Sequence, residues 1–385
     1  MTIYVNARFL TQPLSGVQRY ARELLAALDR ALAADPDLRR RLGPVVALHP
    51  AEPVADPGWT VIERRPVPDG NGHLWEQAAL ARAARDGVLL SLGNSGPLLH
   101  RRQVICFHDA NVWLVPEAFS LRYRMLHRVL RPQLARRAAA LITVSRYSAS
   151  ELAARLRVGT DRFSVIPNSA VHIRSVAPDA SALQRHGLKR AGYLLTVGNR
   201  SSNKNISRLV AAHRLAGPAL PQLVIAGGAV PGLARAGDET GARFLGRVTD
   251  GELRALYEGA AGFVFPSLYE GFGIPPLEAM ELGVPVLAAR DSALPEVLGG
   301  APIWFDPRDE VDMARALRNF AGLSTADRAA MVAAGRKRAL AFTWEASAAR
   351  LAKLLEQLQQ PVGRTSVSAV RQIRSKSTAR LMSRR

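Results

Sequence analysis

The chain has 385 residues, 48% of them apolar, 22% charged and 6% aromatic. That is a globular mixture long enough for two domains, and it excludes fibrous, collagenous and wholly disordered classes. The 52 Lys+Arg against 32 Asp+Glu leave a net charge of +20, an excess that asks for nucleic acid, an anionic membrane surface or a phosphorylated substrate. Only five of the basic residues are lysines, so each lysine carries more weight than each arginine.

The chain opens on the strand Ile3-Tyr4-Val5 without a charged leader, and no apolar run approaches ~20 residues, so a cytoplasmic protein without a membrane span is expected. A helix with apolar positions Val17, Tyr20, Leu24 and Leu28 follows. Strands are predicted near 44–48, 88–91, 104–107, 141–144 and 164–166. The single cysteine, Cys106, lies in the run Val104-Ile105-Cys106-Phe107 and reads as a buried thiol that excludes an internal disulfide. Residues 169–191 are polar or irregular and form a predicted linker. A second series of strands covers 193–198, 223–226, 243–245, 262–265, 284–288 and 303–305. Thr249 and Glu252 have the spacing of a capping box and should open a helix. Strands alternating with helical periods make the fold class α/β, with two doubly wound domains. The domains are set at 1–177 and 187–343, then a returning amphipathic helix at 344–360. Residues 361–385 hold seven Lys+Arg and no acids, a basic tail expected to be disordered.

The densest chemical signal is PSLYEGFGIPPLEAMELG at 266–283, directly after the strand Gly262-Phe263-Val264-Phe265. Gly271 and Gly273 let backbone approach a ligand, Pro275 and Pro276 pre-set a helical turn, and free N–H groups at that turn favour a phosphate. Glu270 and Glu278 can face one crevice and accept hydrogen bonds from sugar and ribose hydroxyls. A first-turn acid such as Glu278 serves equally well as a partner of the helix dipole. Lys204 stands at a helix start, where its charge opposes the dipole unless an anion such as a diphosphate lies between; Arg200 would add a second contact. Leu14-Ser15-Gly16-Val17 is a glycine-poor phosphate-type loop. His108, with Asp109 orienting it, ends the Cys106 strand, where a structural histidine is the more common occurrence. The lone Asp-x-Asp, Asp35-Pro36-Asp37, reads as a turn, and no His/Cys spacing suits a metal.

Together these segments resemble the family 4, or group 1, retaining glycosyltransferases of the two-domain GT-B fold over residues 1 to about 358. The carriers are 266–283, Val197-Gly198 to Asn205, Leu245-Gly246-Arg247-Val248, Phe107-His108-Asp109, Val144-Ser145 and Ile166-Pro167-Asn168. The resemblance implies a nucleotide-sugar in the second domain, with Glu278 on the ribose, Arg200 and Lys204 on the diphosphate and Val248 near the base. It implies Glu270, Gly271, Phe272 and Gly273 near the donor sugar, with Glu270 positioning it and stabilising charge. His108 and Gly16 are expected on the acceptor side of the cleft, Gly16 also within reach of the donor, and His108 and Asp109 join Glu270 as catalytic candidates. The last helix should cross back to the first domain. No metal cofactor is implied. The chain departs from the family pattern at Asn203-Lys204-Asn205, where Arg-Lys-Asn is frequent, at Ser169, where Gly usually follows Pro-Asn, and at Ser15-Gly16.

The Phe107-His108-Asp109 strand end and Leu74-Trp75-Glu76-Gln77 resemble polysaccharide mannosyltransferases. GDP-mannose is therefore the expected donor, with UDP- and other NDP-sugars open, and a growing or lipid-linked bacterial polysaccharide (O-antigen, exopolysaccharide or capsule) the acceptor. A silent nucleotide-sugar binder is the rival within the fold. Nucleic-acid binding is the rival outside it, but no stacking aromatics interleave the basic runs, so no specific nucleic acid is expected. The +20 is spread as +9 over residues 1–180, +4 over 181–360 and +7 in the tail. This favours peripheral adhesion to an anionic inner-membrane surface. A helix from Ser120, with Arg124, His127, Arg128 and Arg131 on one face opposite Leu126, Val129, Leu130 and Leu134, would face that leaflet.

Overall fold

The computed structural model describes residues 1–199, 201–228 and 241–359. Arg200 and the basic tail at 361–385 lie outside the described residues. Two all-parallel sheets organise the chain. The first contains β1 (Ile3–Asn6), β2 (Val45–Pro50), β3 (Glu63–Val67), β4 (Val88–Ser91), β5 (Gln103–Cys106), β6 (Ala140–Thr143) and β7 (Phe163–Val165), in the order β3-β2-β1-β4-β5-β6-β7. The second contains β8 (Tyr193–Val197), β9 (Gln222–Ala226), β10 (Ala242–Gly246), β11 (Gly262–Phe265), β12 (Val286–Ala289) and β13 (Ile303–Phe305), in the order β10-β9-β8-β11-β12-β13. Each order reverses once, between β1 and β4 and between β8 and β11. Crevices for ligands open at the carboxyl ends of such switch points.

Strand β3 escaped the sequence reading for a physical reason. Its residues, Glu-Arg-Arg-Pro-Val, are nearly all exposed, and a charged, proline-bearing strand is how a sheet blunts an unpaired edge. The central strands are wholly buried runs, which is why they were legible.

Seven helices matter for the site: α1 (Gly16–Ala34), α2 (Leu121–Arg137), α3 (Arg146–Leu156), α4 (Ile206–Ala216), α5 (Asp250–Gly259), α6 (Ile274–Glu281) and α7 (Trp344–Gln359). Tyr20, Leu24 and Leu28 form the buried stripe of α1, and truncating a fully buried leucine there costs about 2–5 kcal/mol. Helix α7 lays Trp344, Ala348, Leu351 and Leu355 against the first domain. Tyr20 meets Trp344 edge-on at 5.9 Å, Arg30 pairs with Glu345 at 2.9 Å, and Gln359 donates to the Leu42 carbonyl at 2.7 Å. The chain thus returns to its first domain.

The capping box at α5 forms as expected: Glu252 N–H donates to Thr249 Oγ1 at 3.2 Å and Thr249 N–H to Glu252 Oε2 at 2.8 Å. Asp35 caps the helix Pro36–Leu42 through the N–H groups of Asp37 and Leu38, so the lone Asp-x-Asp is a turn and helix cap. The connection at 169–191 contains two short helical turns, Val171–Ser175 and Ala182–Arg185. Ser169 is fully buried, and its hydroxyl donates to the Phe342 carbonyl at 2.8 Å, tying the connection to the approach of α7.

The predicted orientation of α2 holds only in part: Leu134 is buried, Leu130 half-buried and Arg128 exposed, as expected, but other positions are turned the opposite way. His127 and Arg131 are buried, whereas Leu121, Met125, Leu126 and Val129 are exposed. Arg131 lies 5.9 and 5.8 Å from the Phe107 and Trp113 rings and reaches the Asp109 carbonyl at 3.4 Å. Cation–π attraction over two aromatic faces outweighs the habit of keeping arginine in water. No helix among the described residues is long and apolar enough to cross a membrane.

Candidate active site between the two domains

A cavity of about 920 Å³ lies between the sheets, at the carboxyl ends of β8 and β11 on one side and at the start of α1 and the end of β5 on the other. Gly16, His108, Asp109, Lys204, Val248, Glu270, Gly271, Phe272, Gly273 and Glu278 all line it. Among the candidate residues only Arg200 falls outside the described set.

Glu270 and Lys204 meet directly. The ammonium donates to Glu270 Oε1 at 2.6 Å, and the two side chains are 22% and 15% exposed respectively. Lys204 sits in the turn Ser202–Lys204, and Asn205, left-handed at φ 56°, begins α4. Asn205 anchors this turn by donating to the Pro266 and Pro307 carbonyls. Glu270 is fixed from behind by its N–H, which donates to Ser292 Oγ at 3.0 Å. The crevice therefore holds a half-buried ion pair at the switch point, with each charge the other's partner.

Gly271 brings the two domains into direct contact. Its carbonyl accepts from Ser145 Oγ at 2.7 Å and Ser148 Oγ at 3.0 Å, at the start of α3. A Cβ on Gly271 would stand 2.6 Å from the His108 carbonyl oxygen, so contact across the cleft requires glycine. Gly273 adopts φ 95° at the mouth of α6, a region that glycine enters without strain. The phosphate expectation for α6 needs correction. Pro275 and Pro276 occupy its second and third positions and have no N–H, which leaves Gly273 and Ile274 as the only free donors of that turn. Phe272 lines the cavity but is itself buried, edge-on to Phe342 at 5.4 Å.

Glu278 is buried and both its oxygens are engaged. His172 Nε2 bonds Oε1 at 2.9 Å and the Tyr257 hydroxyl donates to Oε2 at 3.1 Å. Burial and the adjacent carboxylate push the Tyr257 phenol well above its usual range, so it remains a donor. His172 comes from the first turn of the connection between domains and had no signal in the sequence: it is a lone histidine in a polar stretch.

His108 is also held differently than expected. Its Nε2 bonds the Leu92 carbonyl at 2.8 Å and its backbone N–H donates to Asn94 Oδ1 at 2.9 Å. Asp109 instead accepts from the Asn111 backbone and side chain at 2.9 and 2.7 Å. The Leu92 carbonyl, not Asp109, orients the ring. Burial lowers the His108 pKa, so the imidazole is neutral, with Nε2 protonated and Nδ1 an acceptor.

Three further residues on the cavity wall were missed. Arg19 of α1 pairs with Asp250 of α5 across the cleft at 2.7 Å. Arg247, exposed beside Val248, makes no ion pair among the described residues and is a second cation for the cavity. Its signal was present in Leu245-Gly246-Arg247-Val248 but was discounted in an arginine-rich chain. No group of three or more His, Cys, Asp or Glu suited to a metal occurs among the described residues.

Comparison with known proteins agrees with this architecture. The model of the family "Glycosyl transferases group 1" matches residues 191–322. The chain is similar to O-antigen chain mannosyltransferase B of Escherichia coli, 35% identical over 269 residues that span 64% of this chain and 69% of that one. Among solved structures, sucrose-phosphate synthase from Thermosynechococcus elongatus superimposes with a TM-score of 0.67 at 19% identity, covering 93% of this chain and 98% of the other. HepE of Anabaena in complex with UDP and glucose gives a TM-score of 0.66 at 19% identity, covering 92% and 99%. At that identity the likeness is one of fold.

Proposed function

Since the chain belongs to the group 1 glycosyltransferases, we propose that it transfers mannose from GDP-mannose, with retention of configuration, onto a growing or lipid-linked bacterial polysaccharide. The observation that carries this reading is the Lys204–Glu270 pair at the β8/β11 switch point. An arriving diphosphate draws the ammonium away from Glu270 and adds Arg247 as a second cation, a preorganised field for the charge that develops on the leaving group. Glu270, released, takes the hydroxyls of the donor sugar and steadies the positive charge that grows on its anomeric carbon. The bond from that carbon to the diphosphate oxygen breaks, and the acceptor hydroxyl bonds on the same face. Its proton passes to the departing diphosphate, so the step needs no metal. Glu278, held by His172 and Tyr257, accepts from the ribose hydroxyls. Val248 borders the base, and the backbone from Gly271 to Gly273 borders the sugar. His108, Asp109 and Gly16 belong to the acceptor side, and Gly16 also approaches the donor because it faces Ile274 at the mouth of α6. The mannosyl preference is supported by the likeness to the O-antigen chain mannosyltransferase B of Escherichia coli.

Thermal unfolding against a panel of nucleotide-sugars tests the donor, because a ligand at ~100 times its dissociation constant adds about 2.7 kcal/mol. Stabilisation by GDP-mannose is expected. Stabilisation by a UDP-sugar alone would overturn the donor assignment, and stabilisation by none would overturn the activity.

The exposed stripe Leu121, Met125 and Val129 on α2, flanked by Arg122 and Arg128, supports peripheral docking on an anionic membrane surface. This is a different face of α2 from the one expected. Met125→Glu should abolish co-sedimentation with vesicles containing anionic lipid; retention of binding would remove α2 from that role.

A further inference from the structure

Helix α3 of the first domain has no acid in its first turn, although a carboxylate is the natural partner of the free N–H groups and positive dipole end there. The second domain supplies one. Glu296, in the helical turn Leu294–Leu298, accepts from the Arg146 N–H on Oε1 and from the Tyr147 N–H on Oε2, both at 2.9 Å. Ser145 Oγ takes the next donor, the Ser148 N–H, at 3.0 Å. The first three donors of α3 are thus met, and two of them depend on the other domain. An ordinary surface ion pair does not account for this arrangement. The Arg146 side chain is 85% exposed and its Nε stands 3.5 Å from Glu296, a contact that contributes little in water. The carboxylate itself is only 24% exposed and is bonded to backbone on both oxygens.

The same short stretch of the second domain holds Glu270. Ser292 Oγ accepts from the Glu270 N–H at 3.0 Å, and the Ala293 N–H donates to the Glu270 carbonyl at 3.4 Å. Ser292 is left-handed at φ 53°, a conformation that a non-glycine residue keeps only where its surroundings fix it. Gly271, the next residue after Glu270, returns to α3 through the Ser145 and Ser148 hydroxyls. A closed circuit therefore runs from Glu270 through Ser292 and Ala293 to Glu296, across to the first turn of α3, and back through Gly271. Arg338 braces it from behind by donating to the Val297 carbonyl at 2.7 Å and to that of Glu296. We propose that Glu296 is a positioning residue for glycosyl transfer: by capping α3 from the opposite domain it fixes Glu270 against the His108 side of the cleft. Glu296 does not line the main cavity, so it acts through this circuit and not by touching the donor. This rests on the glycosyl-transfer reading and adds which group sets the two half-sites against each other.

The test uses the full chain, GDP, GDP-mannose and spin labels on Ala154→Cys and Ala330→Cys, exposed positions in the two domains; Cys106 is buried and stays unlabelled. Glu296→Ala and Arg146→Pro each remove one side of the clasp. Proline suits position 146, the first residue of α3, whose N–H has no partner within the helix, and Ser145 before it is extended at φ −150° and ψ 162°. Each variant should lengthen or broaden the distance between the labels and slow the release of GDP from GDP-mannose by at least about tenfold, the worth of one charge-assisted hydrogen bond. GDP affinity should stay within about twofold, because Lys204, Val248 and Glu278 all lie outside the first domain. Glu296→Gln, which keeps one acceptor oxygen, should recover part of the loss, and Arg146→Ala, which keeps the N–H, should match the wild type. The two losses should not add when the variants are combined, since both break one interaction. Unchanged label distances, unchanged turnover, additive losses or a parallel fall in GDP affinity overturns the role. Absence of GDP-mannose turnover in the wild type would instead defeat the donor reading, and the label distances would then decide the clasp. Should Glu296→Ala fail to fold, Arg146→Pro and Glu296→Gln decide alone.

Discussion

Removing either half of the Lys204–Glu270 pair should have opposite consequences for nucleotide binding. The pair is 2.6 Å long and only 22% and 15% exposed, so each charge is largely withdrawn from water and held by the other. Lys204→Met deletes the cation proposed to meet the diphosphate and leaves Glu270 facing the same space. A charge-assisted hydrogen bond contributes about 1.5–3 kcal/mol, so GDP affinity should fall ~10- to 150-fold, with turnover falling alongside. Glu270→Gln is different. It frees the ammonium before the ligand arrives, so GDP should bind as well as before or more tightly. Turnover should still drop by ~100-fold or more, the usual loss when one preorganised electrostatic group leaves a transition state. Calorimetric titration with GDP and UDP, beside single-turnover rates with the sugar donor, separates the two effects. Equal weakening of nucleotide by both variants would refute the reasoning. It would show the pair to be a brace for the loop at 266–273 instead of a charge that the donor displaces.

Three further outcomes follow from the geometry. His172→Phe removes the donor to Glu278 Oε1 and leaves a buried carboxylate oxygen unpaired, so stability and nucleotide affinity should each fall by about 1–3 kcal/mol, with His172→Gln recovering part; equal nucleotide affinity by titration would detach His172 from the ribose site. Gly271→Ala places a Cβ 2.6 Å from the His108 oxygen, so the domains must part and turnover should drop by as much as ~100-fold, with donor affinity little changed; unchanged turnover would show that the contact is dispensable. His127 is held by burial and by Arg131 at about 4, below the unfolded 6.5. The wild type is therefore penalised as pH falls from 6.5 toward 4, because the unfolded chain takes up the proton first, by at most about 3 kcal/mol. Denaturant melts should show the wild type losing stability relative to His127→Phe as pH falls over that window, and parallel curves would refute the neutral buried state.

The sequence displayed what depends on local pattern. Buried strands such as Phe263–Phe265, the Thr249 capping box and the glycines around Glu270 all announce themselves through composition or spacing. What it concealed depends on the far side of a contact. Glu278 gave no sign that its oxygens are taken by Tyr257, twenty-one residues earlier, and by His172, 106 residues away. His108 seemed paired with its neighbour Asp109, yet the nearer hydrogen-bond geometry belongs to the Leu92 carbonyl. The α6 prolines were read for the φ they favour and not for the donors they delete.

Helix α2 shows why charge counting alone misled. Its arginines and its leucines alternate at spacings that satisfy either orientation, and an exposed basic face is the cheaper choice for an isolated helix. In the folded chain two aromatic rings, Phe107 and Trp113, and the Asp109 carbonyl receive Arg131, while the His127 ring packs between Tyr123 at 4.1 Å and His73 at 5.4 Å. Turning these two residues inward forces Leu121, Met125 and Val129 outward. The same rotation therefore supplies both a buried imidazole on the inside and an apolar stripe between arginines on the outside. On the proposed reading, that stripe would face the membrane that carries a lipid-linked acceptor.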